Sequence, residues 1–156
     1  MRKLVFTLFI LTALSACDQR ANNVEAVKST TEVSTPENDH EIVNKYWKLK
    51  SLDGKAIQMA ENQEREQYFI LKSDSTVTGF AGCNQFHGQF ELRDGDRIRF
   101  NENLATTMKA CPDVDINESD FLNVFKVADN YSIDGDTLYL NVGKRAPLAI
   151  FEAVYF

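Results

Sequence analysis

The sequence lacks the patterns that mark the common classes of enzyme. It has only three cysteines, Cys17, Cys83 and Cys111. They are too far apart in sequence to form the Cys-x-x-Cys pair that thiol oxidoreductases and zinc sites use. No Gly-x-Ser-x-Gly turn is present to expose a serine nucleophile. The two histidines, His40 and His87, are adjacent to neither Cys83 nor Cys111. We therefore predict a protein that is not an enzyme and has no metal site and no cofactor.

An excess of basic residues is also missing. The chain has 17 lysines and arginines against 23 aspartates and glutamates, which gives a net charge of −6 at pH 7. Removal of residues 1–16, argued below, takes away Arg2 and Lys3 and leaves 15 basic and 23 acidic residues, a net charge of −8. This balance argues against binding of nucleic acid or anionic lipid by overall electrostatic attraction.

Long apolar runs are missing as well. Residues 4–13 are apolar except for two threonines, but a membrane helix needs roughly 20 such residues. The run follows Arg2 and Lys3 and leads into Leu14-Ser15-Ala16-Cys17, which resembles the lipobox of bacterial lipoproteins. We predict that residues 1–16 are a signal peptide and that Cys17 carries the lipid. An ordinary secretory signal cleaved near Ala16, with Cys17 left as a free thiol, is the alternative.

A lipid on Cys17 would place the protein in the bacterial cell envelope. One acyl chain gives only marginal membrane binding, so lipoproteins that stay anchored carry several, palmitate among them. Asp18 resembles the signal that retains lipoproteins on the periplasmic side of the inner membrane; the outer membrane is the alternative. Residues 17–40 contain no Phe, Trp or Tyr and are rich in polar residues, which is typical of a disordered tether.

Apolar and aromatic residues return over 41–156 and predict a single domain. Alternating patterns predict strands over 46–52 and 148–154, with three hairpins between them: 67–72 with 76–80, 89–93 with 97–101, and 131–133 with 137–141. A cap at Asn117 and an apolar face predict one helix over 116–128. The fold class is therefore α+β: a strongly twisted antiparallel sheet, or a cracked small barrel, with one packed helix.

Cys83 and Cys111 are an even pair once Cys17 is assigned to the lipid. Outside the reducing cytoplasm such a pair predicts a disulfide. A redox-active or metal-binding pair is the alternative, and it would need a lowered thiol pKa that the neighbouring sequence does not supply.

Two segments of the domain resemble the META domain family, also called HslJ-like. They are Gly79-Phe80-Ala81-Gly82-Cys83-Asn84, followed by Gly88, and Thr106-Thr107-Met108-Lys109-Ala110-Cys111-Pro112. Trp47 in the first strand and Glu118 at the start of the helix follow the family's order. Where the family more often has Met directly before Ala-Cys, this chain has Lys109, with Met108 one position earlier. The resemblance implies a small α+β domain of a stress- or envelope-associated protein with no known catalytic activity.

The segment around Cys83 is the candidate site. Gly79 and Gly82 fit a bend where backbone segments run close together, and Asn84 fits a turn position with left-handed backbone. Asn84 and His87, which we expect in the loop after Cys83, form a candidate loop site.

We predict a non-enzymatic envelope lipoprotein whose domain binds an envelope protein or a lipid-like ligand. The alternative is an inhibitor of a secreted protease that presents loops such as 111–115. An open apolar groove between the helix over 116–128 and the sheet would favour a ligand, whereas a filled core would favour recognition by loops.

Overall fold

The computed structural model describes residues 39–114 and 116–156. Within them the chain forms two helices and ten strands. In chain order these are α1 (Asp39–Ile42), β1 (Tyr46–Leu52), β2 (Lys55–Ala56), β3 (Tyr68–Leu71), β4 (Thr76–Phe80), β5 (Gln85–Arg93), β6 (Arg97–Phe100), β7 (Ala105–Thr106), α2 (Glu118–Val127), β8 (Asn130–Asp134), β9 (Thr137–Asn141) and β10 (Ala149–Val154). No helix in this part of the chain has the length and apolar character needed to cross a membrane.

Eight of the strands form a closed antiparallel barrel. Hydrogen-bonded neighbours follow the order β1-β3-β4-β5-β6-β8-β9-β10, and β10 returns to pair with β1 from Tyr46↔Val154 to Leu52↔Ala149. The shortest strand pairing in the barrel is between β6 and β8, which share the single residue pair Arg97↔Asn130. The predicted α+β fold, a small antiparallel barrel with one packed helix, agrees with this architecture. The pairing of β1 with β10 makes the ring closed.

Aromatic side chains fill the interior of the barrel. Phe125 of α2 lies with its ring centre 5.2 Å from that of Phe69, 5.0 Å from Phe86 and 5.0 Å from Phe100, on three different strands. Phe121, one turn earlier on the helix, lies 6.3 Å from Phe151 of β10. Ring pairs at these separations add to the stabilisation from burial. The sequence was compatible with an open apolar groove or with a filled core, and these packed rings form a filled core.

The predicted helix and hairpins are confirmed, with small shifts at their ends. The helix predicted over 116–128 is α2, and Asn117 caps it by accepting a hydrogen bond from the Asp120 N–H at 3.2 Å. Three short elements, α1, β2 and β7, were not predicted, because two to four residues are too few to show a period. Helix α1 straddles the predicted boundary between tether and domain, and the carbonyl of Ile42 accepts a hydrogen bond from the Trp47 indole at 2.8 Å.

Candidate functional site

The two segments that resemble the META family meet at one end of α2. A disulfide joins Cys83 to Cys111, with a Cα–Cα distance of 6.1 Å, as the cysteine count predicts. Residues 81–84 link β4 to β5, and residues 107–114 lie between β7 and α2. We call residues 81–84, residues 107–114 and Glu118 together the disulfide corner.

The side chain of Asn84 holds the disulfide corner together. Its amide nitrogen donates to the Lys109 carbonyl at 3.2 Å, and its amide oxygen accepts from the Lys109 N–H at 2.7 Å. The same oxygen accepts from the Thr107 hydroxyl at 2.8 Å. Asn84 is only 8% exposed, so these bonds are largely shielded from water. The Asn84 amide thus bonds both backbone groups of Lys109, as a strand neighbour would.

Glu118 ties the same loop to the start of α2. Its carboxylate accepts hydrogen bonds from the backbone N–H groups of Cys83, at 3.0 Å, and of Asn84, at 2.6 Å. It also accepts from the Asn84 side-chain amide at 2.8 Å. Bonds to an ionised acceptor are stronger than bonds between neutral groups, and an acidic residue in the first turn of a helix is favoured by the helix dipole.

Two glycines allow the close packing that this arrangement needs. A Cβ on Gly79 would meet the carbonyl oxygen of Tyr68 and the ring of Phe86, and a Cβ on Gly82 would meet the side chain of Ile116. Gly82 also has a φ of +111°, which side chains disfavour. The predicted close approach of backbone segments is confirmed at Gly79, whereas Gly82 is approached by side chains.

The outer surface of the disulfide corner combines a protruding apolar side chain with a shallow depression. Met108 is 98% exposed and follows Thr107, whose backbone N–H donates to the Gln85 carbonyl at 3.0 Å. A depression of about 250 Å³ lies beside the disulfide, with Phe80 and Gly82 among its lining residues. Lys109 forms an ion pair with Glu64, another lining residue, at 3.3 Å.

The remaining predicted site residues have different outcomes. Cys17 lies outside the described residues. His87 lies in strand β5 and not in a loop; it is exposed and is paired with Thr78 and Ala105. The link between β4 and β5 ends at Asn84, so the loop prediction for His87 is wrong. Asn84 is absent from the residues with positive φ, so its predicted left-handed backbone is also wrong.

The described part of the chain has no group of three or more His, Cys, Asp or Glu residues arranged to hold a metal ion. Sequence reasoning missed two features: the exposure of Met108, and the hydrogen bonds of the Asn84 side chain to the backbone of Lys109. A signal for the first was present, since Met108 is an apolar residue between Thr107 and Lys109. The hydrogen bonds between Asn84 and Lys109 depend on which backbone groups the Asn84 amide can reach in the fold. The residue type alone does not specify those groups.

Comparisons with known proteins agree with this geometry. An NMR structure of a protein from Burkholderia xenovorans has a TM-score of 0.56 and 24% identity, over 72% of this chain and 83% of that one. The crystal structure of a DUF4847 family protein from Bacteroides vulgatus has a TM-score of 0.50 and 15% identity, over 73% and 95%. Both show similarity of fold alone. No curated protein sequence matches significantly. The model of the META domain family matches residues 40–155, and the chain therefore belongs to the META domain family.

Proposed function

We propose that this protein is a non-enzymatic lipoprotein of the bacterial cell envelope whose META domain binds another envelope protein through the disulfide corner. The observation that carries the proposal is Met108, which is 98% exposed on a segment with a fixed backbone. Thr107 and Lys109 are hydrogen-bonded on either side of it, and Cys111 is covalently fixed. Methionine is enriched at protein interfaces, and a backbone already held in place loses little freedom on binding.

The filled barrel favours a protein partner over a lipid-like ligand. An acyl chain needs an apolar cavity, and the rings of α2 and the strands occupy the interior. The depression at the disulfide corner, at about 250 Å³, is smaller than most small-molecule sites. The polar side chains of Asn84 and Glu118 hold backbone groups, which supports a binding role over proton transfer.

The lipid anchor is part of the proposal and is supported by the lipobox-like residues 14–17. Mass spectrometry of the protein from the source bacterium should find an acylated Cys17 at the N-terminus. Replacement Cys17→Ser should release the protein from the membrane fraction, and fractionation of the unmodified protein would separate the inner from the outer membrane. A free thiol at Cys17 would overturn the anchor.

The binding role is tested by placing a photo-crosslinking amino acid at position 108 in living cells of the source bacterium. Position 59 provides a matched control, because Met59 is also an exposed methionine, at 56%. We expect position 108, and not position 59, to crosslink to an identifiable envelope protein. With that protein purified, Met108→Ala should weaken binding by about tenfold, as expected for an apolar anchor residue, and Met59→Ala should not. Equal crosslinking from both positions would contradict the proposal.

Inhibition of a secreted protease is the second candidate, and the fixed backbone of Lys109 favours it. Protease inhibitors bind with little change in backbone, which suits a segment already held by Asn84. Proteases secreted by the same bacterium should then be inhibited competitively, with the inhibition lost on Met108→Asp and retained on Met59→Asp. Crosslinking of position 108 to a protein without protease activity would rule this candidate out.

A further inference from the structure

Basic side chains are concentrated in one cleft of this acidic protein. Four of the chain's 17 lysines and arginines line a cleft of about 330 Å³ between the outer face of β6 and the end of α2: Arg93, Arg97, Arg99 and Lys126. On the edge away from β5, strand β6 pairs with β8 through a single residue pair, and the end of α2 lies beside the rest of that edge. It is separated from the disulfide corner by the length of α2, roughly 15 Å for ten residues.

Among the described residues, three of these four cations form no salt bridge, although Arg97 lies near Asp129 and Arg99 stands opposite Glu91. Arg93 and Arg97 stand directly opposite each other in the β5–β6 hairpin, a like-charge pairing that is unfavourable by itself. Arg93 has a partner in Glu91, at 2.7 Å. Within residues 41–114 and 116–156, no carboxylate oxygen lies within 4.0 Å of Arg97, Arg99 or Lys126.

The acidic residues of the cleft do not cancel this charge. Asp129 accepts hydrogen bonds from the Gly143 N–H, at 2.8 Å, and from the Asn130 side-chain amide, at 2.6 Å. These hydrogen bonds, together with the nearby charge of Arg97, hold the pKa of the Asp129 carboxyl below its ordinary value. Glu102 is the other acidic residue that lines the cleft. Four cations thus line the cleft against two carboxylates, Asp129 and Glu102, so the cleft keeps an excess of positive charge.

We propose that this cleft binds a phosphate group. Arg97 and Arg99 project from the same face of a strand, so two guanidinium groups can each offer paired N–H donors to one oxyanion, while Lys126 adds a point charge from the helix. The net charge of the chain predicts no attraction to anions, but a local site depends on the charges that surround it. The phosphate can belong to a lipid headgroup or to a soluble ester, and the chemistry of recognition is the same.

The proposal is tested by NMR titration of the full-length Cys17→Ser chain, which cannot be acylated, with inorganic phosphate at constant ionic strength. Saturable shifts should be confined to the amides of residues 93, 97–99 and 126–129. The double variant Arg97→Gln/Arg99→Gln should lose about tenfold in phosphate affinity, since it removes both charge-assisted donors. The matched control, Lys48→Gln/Lys55→Gln, has the same change in net charge on strands β1 and β2 and should bind as the parent does.

A vesicle experiment then separates the two sources of phosphate. Flotation with phosphatidylglycerol vesicles that depends on Arg97 and Arg99 would assign a lipid headgroup, and phosphate binding without flotation would assign a soluble ester. The proposal is overturned if phosphate causes no saturable shifts, or if the Lys48→Gln/Lys55→Gln control weakens binding as much as the arginine variant. Equal unfolding midpoints of all variants will show that loss of binding is not loss of fold.

Discussion

The Asn84 side chain makes the hydrogen bonds that the backbone of a neighbouring strand would otherwise make. Its amide makes four hydrogen bonds, two to Lys109 and one each to Thr107 and Glu118. An amide has two donor hydrogens and an oxygen that accepts twice, so this environment uses its full capacity. Neither aspartate nor alanine can reproduce the pattern.

We expect Asn84→Ala to lower the free energy of unfolding by about 2–4 kcal/mol, because it leaves the Lys109 N–H and carbonyl without their partner at a partly buried site. Urea unfolding followed by the fluorescence of Trp47, the only tryptophan and fully buried, measures this change. The control is His87→Ala, an exposed change on the adjoining strand, which should cost less than about 0.5 kcal/mol. Equal stability of the two variants would show that the Asn84 bonds contribute nothing.

Residue roles were only partly predictable from the sequence. The tight approach at Gly79 and Gly82 was predictable, because glycine spaced in this way has few other uses in a strand and its loop. For Asn84 the same residue type fits either a left-handed turn or a side-chain hydrogen-bond network, and the turn was the wrong choice. The outcome depends on Lys109, which lies 25 residues away in sequence.

At the scale of elements, α2 closes the core. Its buried residues Phe121, Val124 and Phe125 face the barrel, while Val127 is 39% exposed on the same helix. Phe125 contacts rings of β3, β5 and β6, so it links strands that do not all neighbour each other. Helix and barrel should therefore unfold as one unit.

Phe125→Ala should destabilise the domain by about 3–5 kcal/mol, since it removes a fully enclosed ring and leaves a cavity among aromatic neighbours. Val127→Ala, on the exposed side of the same helix, should cost less than about 1 kcal/mol. Thermal and urea unfolding of the two variants will test this. A small effect at Phe125 would mean that the interior collapses around the missing ring.

The disulfide adds a covalent link to the hydrogen bonds that hold residues 107–114. Cys83 and Cys111 are 28 residues apart, and closing a loop of that size stabilises a fold by about 3.5 kcal/mol in the chain-entropy model. We expect Cys83→Ser/Cys111→Ser to lose up to about this amount. Hydrogen exchange should accelerate most over residues 107–114, beyond the general acceleration that lower global stability gives to the amides of β9 and β10. Equal acceleration of both regions would contradict this local role.

Long elements were predictable, and short or non-local ones were not. The strands at 46–52 and 76–80 were predicted with the observed ends because their alternation is unbroken. Strand β5 begins at Gln85, four residues before the predicted start. Gly88 interrupts its alternation there, and the side chains of Leu104 and Val77 lie in the space that this glycine leaves. Pairing of β1 with β10 has no local signal, so closure of the barrel could not be predicted.

At the scale of the whole molecule, acid should reduce stability through particular carboxylates. A hydrogen bond from the Gly143 backbone, with further help from Asn130, holds the pKa of Asp129 below its ordinary value of 3.8. Such a group stabilises the fold above the unfolded pKa, and this contribution is lost as the pH falls through the lower, folded pKa.

The stability difference between the parent and Asp129→Asn should therefore be largest near neutral pH and shrink below about pH 4. Urea unfolding at a series of pH values will measure it. The control is Asp113→Asn, whose side chain has no hydrogen-bond partner among the described residues; its difference from the parent should stay small at every pH. A difference for Asp129→Asn that persists unchanged into strong acid would refute this role of the carboxylate.

The pairing between β1 and β10 determines when the barrel can close during synthesis of the chain. Its partners are 97 to 108 residues apart, so the ring cannot close until nearly the whole domain has left the ribosome. Before that point β1 and β9 each present an open edge, and the long-range pairing makes folding slow. A nascent chain of this kind cannot complete its barrel until its last strand is made, and an incompletely folded polypeptide is the form that can be threaded across a membrane.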